Sequence, residues 1–207
     1  MSSNDHFDAS DEFAVRLTEL VDHPPYDDSD RLVTSHLACS MSFEHWTAVR
    51  CLLRAGLLLP GAVIHRSQFE ALLRAIWLLY AATDAQVAKL ATTLNVDAEQ
   101  QAKSLPLAAD MMKAIEKAGP ANAFHALNRF KENSWGALNS YVHAGIHPMQ
   151  RHANGYPPAL LKSVLANANG LAVVAAMQVS VLAGVPTLQR NVLDLASKYP
   201  DCMPSPI

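Results

Sequence analysis

Three charged residues, Arg66, Glu70 and Arg74, recur every four positions in a stretch that is otherwise almost wholly apolar. In an α-helix such residues align in one stripe. Burying them is costly unless they pair, so one interpretation is a salt-bridge ladder that fixes helix register. Another is a polar pocket in which an arginine holds a phosphate or a carboxylate. The third is a stripe exposed to solvent.

A second polar cluster lies in residues 135–151, WGALNSYVHAGIHPMQR, around the expected end of a helix. An imidazole that titrates near neutrality beside hydroxyl groups could transfer protons, although a histidine at a helix C-terminus is also stabilised by the helix dipole. The candidate residues are Asn139, Ser140, Tyr141, His143, His147 and Arg151.

Metal binding is not predicted for this cluster. His143 and His147 have the spacing of a metal pair on a helix, but no carboxylate is near in sequence and Pro148 interrupts the helix. The sequence also lacks the motifs of P-loop, dinucleotide-binding and nucleophile-elbow enzymes. We therefore expect no metal and no cofactor.

His45 offers a further candidate binding group on the first long helix. It follows Glu44 directly, and adjacent helical residues point about 100° apart, so the two cannot act in one direction. We expect His45 to face the next helix, where it would meet Glu70 or an arginine.

The elements that carry these residues are helices, because prolines and glycines divide the chain into helical lengths and almost no segment alternates with the period of a strand. An all-α bundle is predicted, with a hairpin of two long helices joined at Pro60–Gly61 as its centre. The long helices are expected at 30–59, 62–82, 120–143 and 159–182. Short capping helices are expected at 11–21, 84–94, 97–104, 106–118 and 188–198, and a loop at 145–158.

One domain is predicted for residues 11–199, after a flexible segment 1–10 and before a loose tail 200–207. The chain has 207 residues, of which 50% are hydrophobic and 17% charged, and such an apolar surplus favours a homodimer. The net charge of −3 gives no general attraction to nucleic acid. Three cysteines without paired spacing are typical of a reducing compartment, so a cytoplasmic protein is expected.

No membrane span is predicted. The most apolar segment, residues 170–185, contains Gln178 and Ser180 and falls short of the roughly 20 residues that a bilayer requires. A buried helix explains it better. The acidic and polar first residues also lack the pattern of a secretory signal.

Residues 66–81 (RSQFEALLRAIWLLYA) and 140–148 (SYVHAGIHP) resemble a group of uncharacterised bacterial helical proteins. That group is similar to the HEPN helical domains, which include metal-independent ribonucleases of toxin–antitoxin and antiphage systems. The resemblance implies a HEPN-like bundle, a dimer, and an Arg–His motif of spacing R-x4-6-H at the dimer seam. Here that spacing occurs at Arg31–His36, early in the chain, and His143 has no arginine at that distance before it.

Two functions therefore stay open. The first is a metal-independent ribonuclease in which His143 is the acid or base, Glu70 and Tyr141 belong to the site, and Arg66 or Arg74 holds the phosphate. RNA, or an antitoxin protein, would then be the partner. The second is a non-catalytic dimeric module that binds a small anion or a partner protein through the same polar clusters.

Overall fold

A computed structural model gives the fold and describes residues 3–205. No strand occurs among these residues, so the predicted all-α class with four long helices is confirmed. The helices are α1 (Ser3–Leu20), α2 (Asp30–Arg54), α3 (Leu58–Tyr80), α4 (Asp84–Ala91), α5 (Val96–Ala102), α6 (Ala108–Ala118), α7 (Ala121–Val142), α8 (Ile146–Asn154), α9 (Pro158–Leu182) and α10 (Pro186–Ala196), and a 3₁₀ turn follows at Pro200–Cys202.

Helix α3 lies at the centre of the bundle. It forms its most extensive contact with α2, which confirms the predicted hairpin, and it also packs against α6, α7 and α9. Its apolar residues are buried on more than one side because neighbours surround it; Phe69, Leu72 and Leu73 are fully buried. Helix α9 packs against both α2 and α3, and α1 and α10 cover its outer side.

The turn between α2 and α3 begins earlier than the sequence pattern predicts. Gly56, with φ of +75°, ends α2, and the amides of Gly56 and Leu57 bond back to the carbonyls of Leu53 and Leu52 at 3.0 and 2.8 Å. This is a Schellman motif, which favours glycine at the left-handed position. Pro60 instead lies in the first turn of α3, where a missing backbone N–H costs little.

The two ends of the described chain are more ordered than expected. Helix α1 starts at Ser3 instead of Asp11 because Phe7 continues its apolar stripe and is only 6% exposed. At the other end, Cys202 is buried beneath α9 and accepts a hydrogen bond from Asn169 through its carbonyl. Residues 1, 2, 206 and 207, for which a flexible start and a loose tail were also predicted, lie outside the described residues.

The predicted loop 145–158 contains a helix, α8. Pro148 fits because it falls in the first turn, where no intrahelical bond needs its amide. Ser140, in the last turn of α7, accepts a hydrogen bond of 3.1 Å from the His147 amide and so satisfies one free donor at the start of α8. The wrong prediction came from treating this proline as a helix breaker.

Helix α9 is the one helix in residues 3–205 whose length and composition would allow it to cross a membrane. In the fold, 56% of its most apolar window is buried. This burial is typical of a core helix, which is also what the sequence pattern favours. The expectation that the protein has no membrane partner stays a prediction.

Candidate functional site

The charged row on α3 is half-buried and contains one ion pair. Arg66 donates to Glu70 Oε1 from Nε at 3.2 Å and from Nη2 at 3.0 Å, and the two side chains are 19% and 41% exposed. Arg74 has no carboxylate within ion-pair distance among the described residues, and its buried Nη1 atom has no hydrogen-bond partner. Burial lowers the pKa of Arg74, which the nearby Glu70 charge partly opposes. A ladder of three paired charges is therefore absent.

Aromatic rings cover both arginines. The Arg66 guanidinium carbon lies 4.8 Å from the centre of the Trp135 ring on α7, and that of Arg74 lies 5.7 Å from the Trp77 ring. Such contacts stabilise a guanidinium that is only partly solvated. The Trp77 contact stabilises the Arg74 guanidinium but leaves its Nη1 atom without a hydrogen-bond partner in the described residues.

The charged row and His143 lie apart within one chain. Helices α3 and α7 run antiparallel: Phe69 stacks on Phe130 at 4.7 Å, whereas Ala62, earlier in α3, and Tyr141, later in α7, line one cavity. His143 follows Trp135 by eight residues, which is about 12 Å of helix rise beyond the Arg66 contact. Because of the antiparallel direction, Glu70 and Arg74 lie still farther from His143.

The second cluster divides into an outer and an inner part. His143 and His147 are exposed and their rings form no hydrogen bonds in the described structure, whereas Arg151 and Asn139 are half-buried. Ser140 serves as the cap of α8. Tyr141 turns inward and is 7% exposed.

His45 does not make the contact with Glu70 or an arginine that the sequence pattern suggests. It is half-buried and its ring forms no hydrogen bond or ion pair in residues 3–205. The inward positions of this part of α2 are Ser42, which donates to the Gln68 carbonyl at 3.1 Å, and Trp46. His45 consequently lies at the edge of the α2–α3 contact.

A groove lies between α7 and α9, and we call it the α7–α9 groove. It consists of an outer cavity of about 590 Å³ and an inner cavity of about 180 Å³. Four polar residues line both cavities and mark where they adjoin: Asn133, Ser134, Ser163 and Asn167. Among these four, the side chains of Ser134, Ser163 and Asn167 form no hydrogen bond to the described protein, so they are available to a ligand.

The outer cavity combines positive charge with an apolar floor. Arg129 from α7 and Lys162 from α9 line it, and neither has a carboxylate within ion-pair distance in residues 3–205. Arg129 donates to the Ser205 carbonyl at 2.6 Å and so holds residues 203–205 as one wall. The floor consists of Phe130, Leu171 and Val174. A carboxylate side chain, Asp201, also lies in the lining but is exposed.

The inner cavity is lined by a fully buried histidine. His65 on α3 is 1% exposed. Its Nδ1 atom lies 3.0 Å from Gln68 Oε1, and Gln68 Nε2 donates to the Ala168 carbonyl at 2.9 Å. Burial lowers the pKa of His65 to about 4, against a weaker opposing effect of the Gln68 contact. The ring is therefore neutral near pH 7, and its Nε2 atom is buried without a hydrogen-bond partner in residues 3–205.

One phenol, that of Tyr141, lies among apolar side chains in the inner cavity. Tyr141 lines the cavity together with Leu58, Leu138 and Leu160. Burial is the main cause that raises the pKa of Tyr141, and Tyr156 raises it further. Tyr141 is thus the residue that the sequence-predicted cluster shares with this groove.

The sequence patterns did not single out His65, Gln68, Arg129 or Lys162. A usable signal was present for the first two, since a helix that is apolar all round buries every polar residue it carries. His65 and Gln68 are three positions apart on such a helix, so they share a face. No local pattern marks Arg129 and Lys162, because their proximity depends on how α7 and α9 pack.

No group of three or more His, Cys, Asp or Glu side chains in the described part of the chain is arranged to hold a metal ion. A sequence model of a family of unknown function matches residues 39–205, which spans most of α2 and everything described after it. No curated protein and no solved structure matches the chain. The family match gives no link to the HEPN domains.

Proposed function

Because the chain belongs to this family of unknown function (DUF6988), its activity must be argued from its own side chains, and we propose that it binds a small organic anion in the α7–α9 groove. The observation that carries the proposal is a cavity of about 590 Å³ lined by two cations, Arg129 and Lys162, neither of which has a carboxylate within ion-pair distance in residues 3–205. Of the two functions that the sequence left open, this is the non-catalytic one, binding of a small anion. The residues proposed for it here line the α7–α9 groove and differ from those of the two polar clusters.

The size and lining of the groove fit a small ligand. Small-molecule sites are usually clefts of roughly 300–1,000 Å³ with apolar walls and a few polar groups that fix orientation. Here Phe130, Leu171 and Val174 supply the apolar surface. Hydrogen bonds from cations to a carboxylate or phosphate are stronger than neutral ones. A ligand with an anionic head and an apolar body would use both parts.

Titration with linear alkanoates of four to ten carbons, followed by calorimetry, tests this proposal. We expect one chain length to bind best, and Lys162→Met to weaken it about tenfold or more, since a charge-assisted hydrogen bond is lost. Lys131→Met is the matched control, because Lys131 is on α7 but does not line the groove. Absence of binding by every alkanoate, or equal weakening by both variants, would contradict the proposal.

A HEPN-like metal-independent ribonuclease is the second candidate. Its support is the corner where α7 meets α8, which carries the exposed His143 and His147 and, on α8, the half-buried Arg151. Imidazole and guanidinium groups there could move a proton and hold a phosphate. Because Arg66 and Arg74 lie far from this corner within one chain, Arg151 is the better phosphate group, or a second subunit must supply one.

The ribonuclease candidate has a direct test. Purified protein incubated with total RNA in EDTA should cleave it, and His143→Ala should abolish cleavage. His45→Ala is a control on a distant helix. No cleavage, or equal cleavage by the wild type and His143→Ala, rejects this function.

We propose a homodimer for both candidate functions, anion binding and RNA cleavage. Leu37 and Met41 are 57% and 54% exposed at successive turns of α2, and an apolar face of this kind favours contact with another subunit. Sedimentation of the wild type beside Leu37→Glu should show a dimer and a monomer, respectively.

A further inference from the structure

The buried imidazole of His65 has a hydrogen-bonding requirement that the protein itself does not meet. Gln68 uses its amide nitrogen on the Ala168 carbonyl, so its oxygen is the group that faces His65. An oxygen can only accept, and therefore His65 Nδ1 carries the proton and donates. In the neutral ring the other nitrogen, Nε2, is then an acceptor.

Nε2 lies on the part of the ring that does not face Gln68, and it is buried without a hydrogen-bond partner in residues 3–205. The same ring lines the inner cavity, which Ser134 and Asn167 also line. A buried acceptor without a donor is unfavourable, whereas a donor placed in the cavity would be bound with directional preference. A solvent molecule is the ordinary partner, and a ligand hydroxyl would compete with it.

The inner cavity adjoins the cationic outer cavity, with Asn133, Ser134, Ser163 and Asn167 lining both. We propose that the α7–α9 groove selects anions whose apolar body carries a hydroxyl group, with the anionic head at Arg129 and Lys162 and the hydroxyl donating to His65 Nε2. This inference rests on the proposed function and adds the substrate class, hydroxylated organic acids.

The hydrogen bond between Gln68 and His65 makes the groove selective for a ligand that carries a hydrogen-bond donor. A ligand that placed only a hydrogen-bond acceptor next to Nε2 would be repelled by this nitrogen. A ligand with an unsubstituted alkyl end would leave Nε2 without a hydrogen-bond donor. Sites built to hydrogen-bond a substrate hydroxyl discriminate strongly against the analogue that lacks it. The ring cannot change roles by protonation near pH 7, since its neutral form is favoured and Gln68 fixes its tautomer.

The test compares ω-hydroxyalkanoates with unsubstituted alkanoates, each of four to ten carbons, by calorimetry on the full chain. At one chain length the hydroxylated probe should bind about tenfold to a hundredfold more tightly than its analogue. In His65→Phe this preference should vanish, while Lys162→Met should weaken both probes equally. Thermal unfolding of each variant first establishes that it is folded.

A measurement on the wild type makes the test independent of that substitution. The ¹⁵N resonance of unprotonated His65 Nε2 should be that of a free acceptor and should move upfield when the hydroxylated probe binds, but not with the alkanoate. A ring protonated at Nε2 instead of Nδ1 would overturn the inference, because its hydrogen-bonding roles would be reversed.

The outcomes separate the inference from the proposed function. If alkanoates bind and Lys162→Met weakens them, but the hydroxylated probes bind no more tightly at any chain length, only the selection for a hydroxyl group is overturned. If neither series binds the wild type, the groove is not an anion site and both are overturned. Retention of the hydroxyl preference in folded His65→Phe would also reject His65 as the selecting residue.

Discussion

Trp46 Nε1 donates a hydrogen bond of 2.8 Å to Asn169 Oδ1 in the interior of the bundle, which joins α2 to α9. The same oxygen accepts from Ser10 Oγ of α1 at 3.0 Å, and Asn169 Nδ2 donates to the Cys202 carbonyl at 2.8 Å. One amide thereby satisfies polar groups from three other parts of the chain. Asn169 itself is 0% exposed.

Replacing Asn169 with alanine should destabilise the protein by about 2 to 4 kcal/mol, because it leaves the Trp46 and Ser10 donors buried without an acceptor. Asn167→Ala is the matched control on the same helix. Its side chain has no hydrogen bond to the described protein and should cost under about 0.5 kcal/mol. Urea unfolding measures both, and similar losses for the two variants would show that Asn169 has no special role.

His65 should make stability depend on pH. Its pKa is lowered from 6.5 to about 4 in the folded protein, so as pH falls below 6.5 the unfolded chain takes up a proton that the native ring does not. Stability is therefore full above about pH 6.5 and is lost on the way down to about pH 4, by about 3 kcal/mol in total. Below that range both states are protonated and no further loss arises from His65.

The measurement compares urea unfolding of the wild type and His65→Gln at several values of pH. Subtracting the two curves removes the contribution of the carboxylates and leaves that of His65. The difference should shrink as pH falls from 6.5 to 4. A flat difference curve for His65→Gln would contradict the buried neutral ring.

Helix positions followed from the sequence because they depend on local patterns. The apolar runs and the terminal prolines placed α3, α7 and α9 within a few residues. The errors in the predicted helix boundaries arose at prolines, because a proline can either end a helix or lie in its first turn. Pro60 and Pro148 were interpreted as terminators, although each lies in a first helical turn, and Gly56 gave the actual end of α2.

The site was harder to predict because it depends on packing between distant segments. The regular spacing of Arg66, Glu70 and Arg74 drew attention to charge, yet long charged side chains reach the rim of a buried helix and leave the interior to shorter neutral groups. His65 and Gln68 occupy that interior. Arg129 and Lys162 could be assigned to the site only once it is known that α7 and α9 leave a groove between them.

Arg74→Met should leave stability unchanged or raise it by up to about 1 kcal/mol, because the substitution removes a partly buried charge without an ion pair and keeps most of the side-chain volume. Arg66→Met should instead lower stability by about 0.5 to 1 kcal/mol through loss of the Glu70 pair. Thermal unfolding of the two variants provides the comparison. A severe loss from Arg74→Met would indicate a structural partner for its guanidinium and would support the ladder interpretation.

The Schellman turn allows a matched pair of glycine substitutions. Gly56→Ala should destabilise the protein by about 1 kcal/mol, because φ of +75° is unfavourable for a residue with a Cβ even though no atom lies within 4 Å of one. Gly136→Ala, within α7 and also without a neighbour within 4 Å, should stabilise it by about 0.5 to 1 kcal/mol through helix propensity alone. Urea unfolding should therefore give opposite signs for the same chemical change, and equal signs would show that backbone conformation at residue 56 does not set the end of α2.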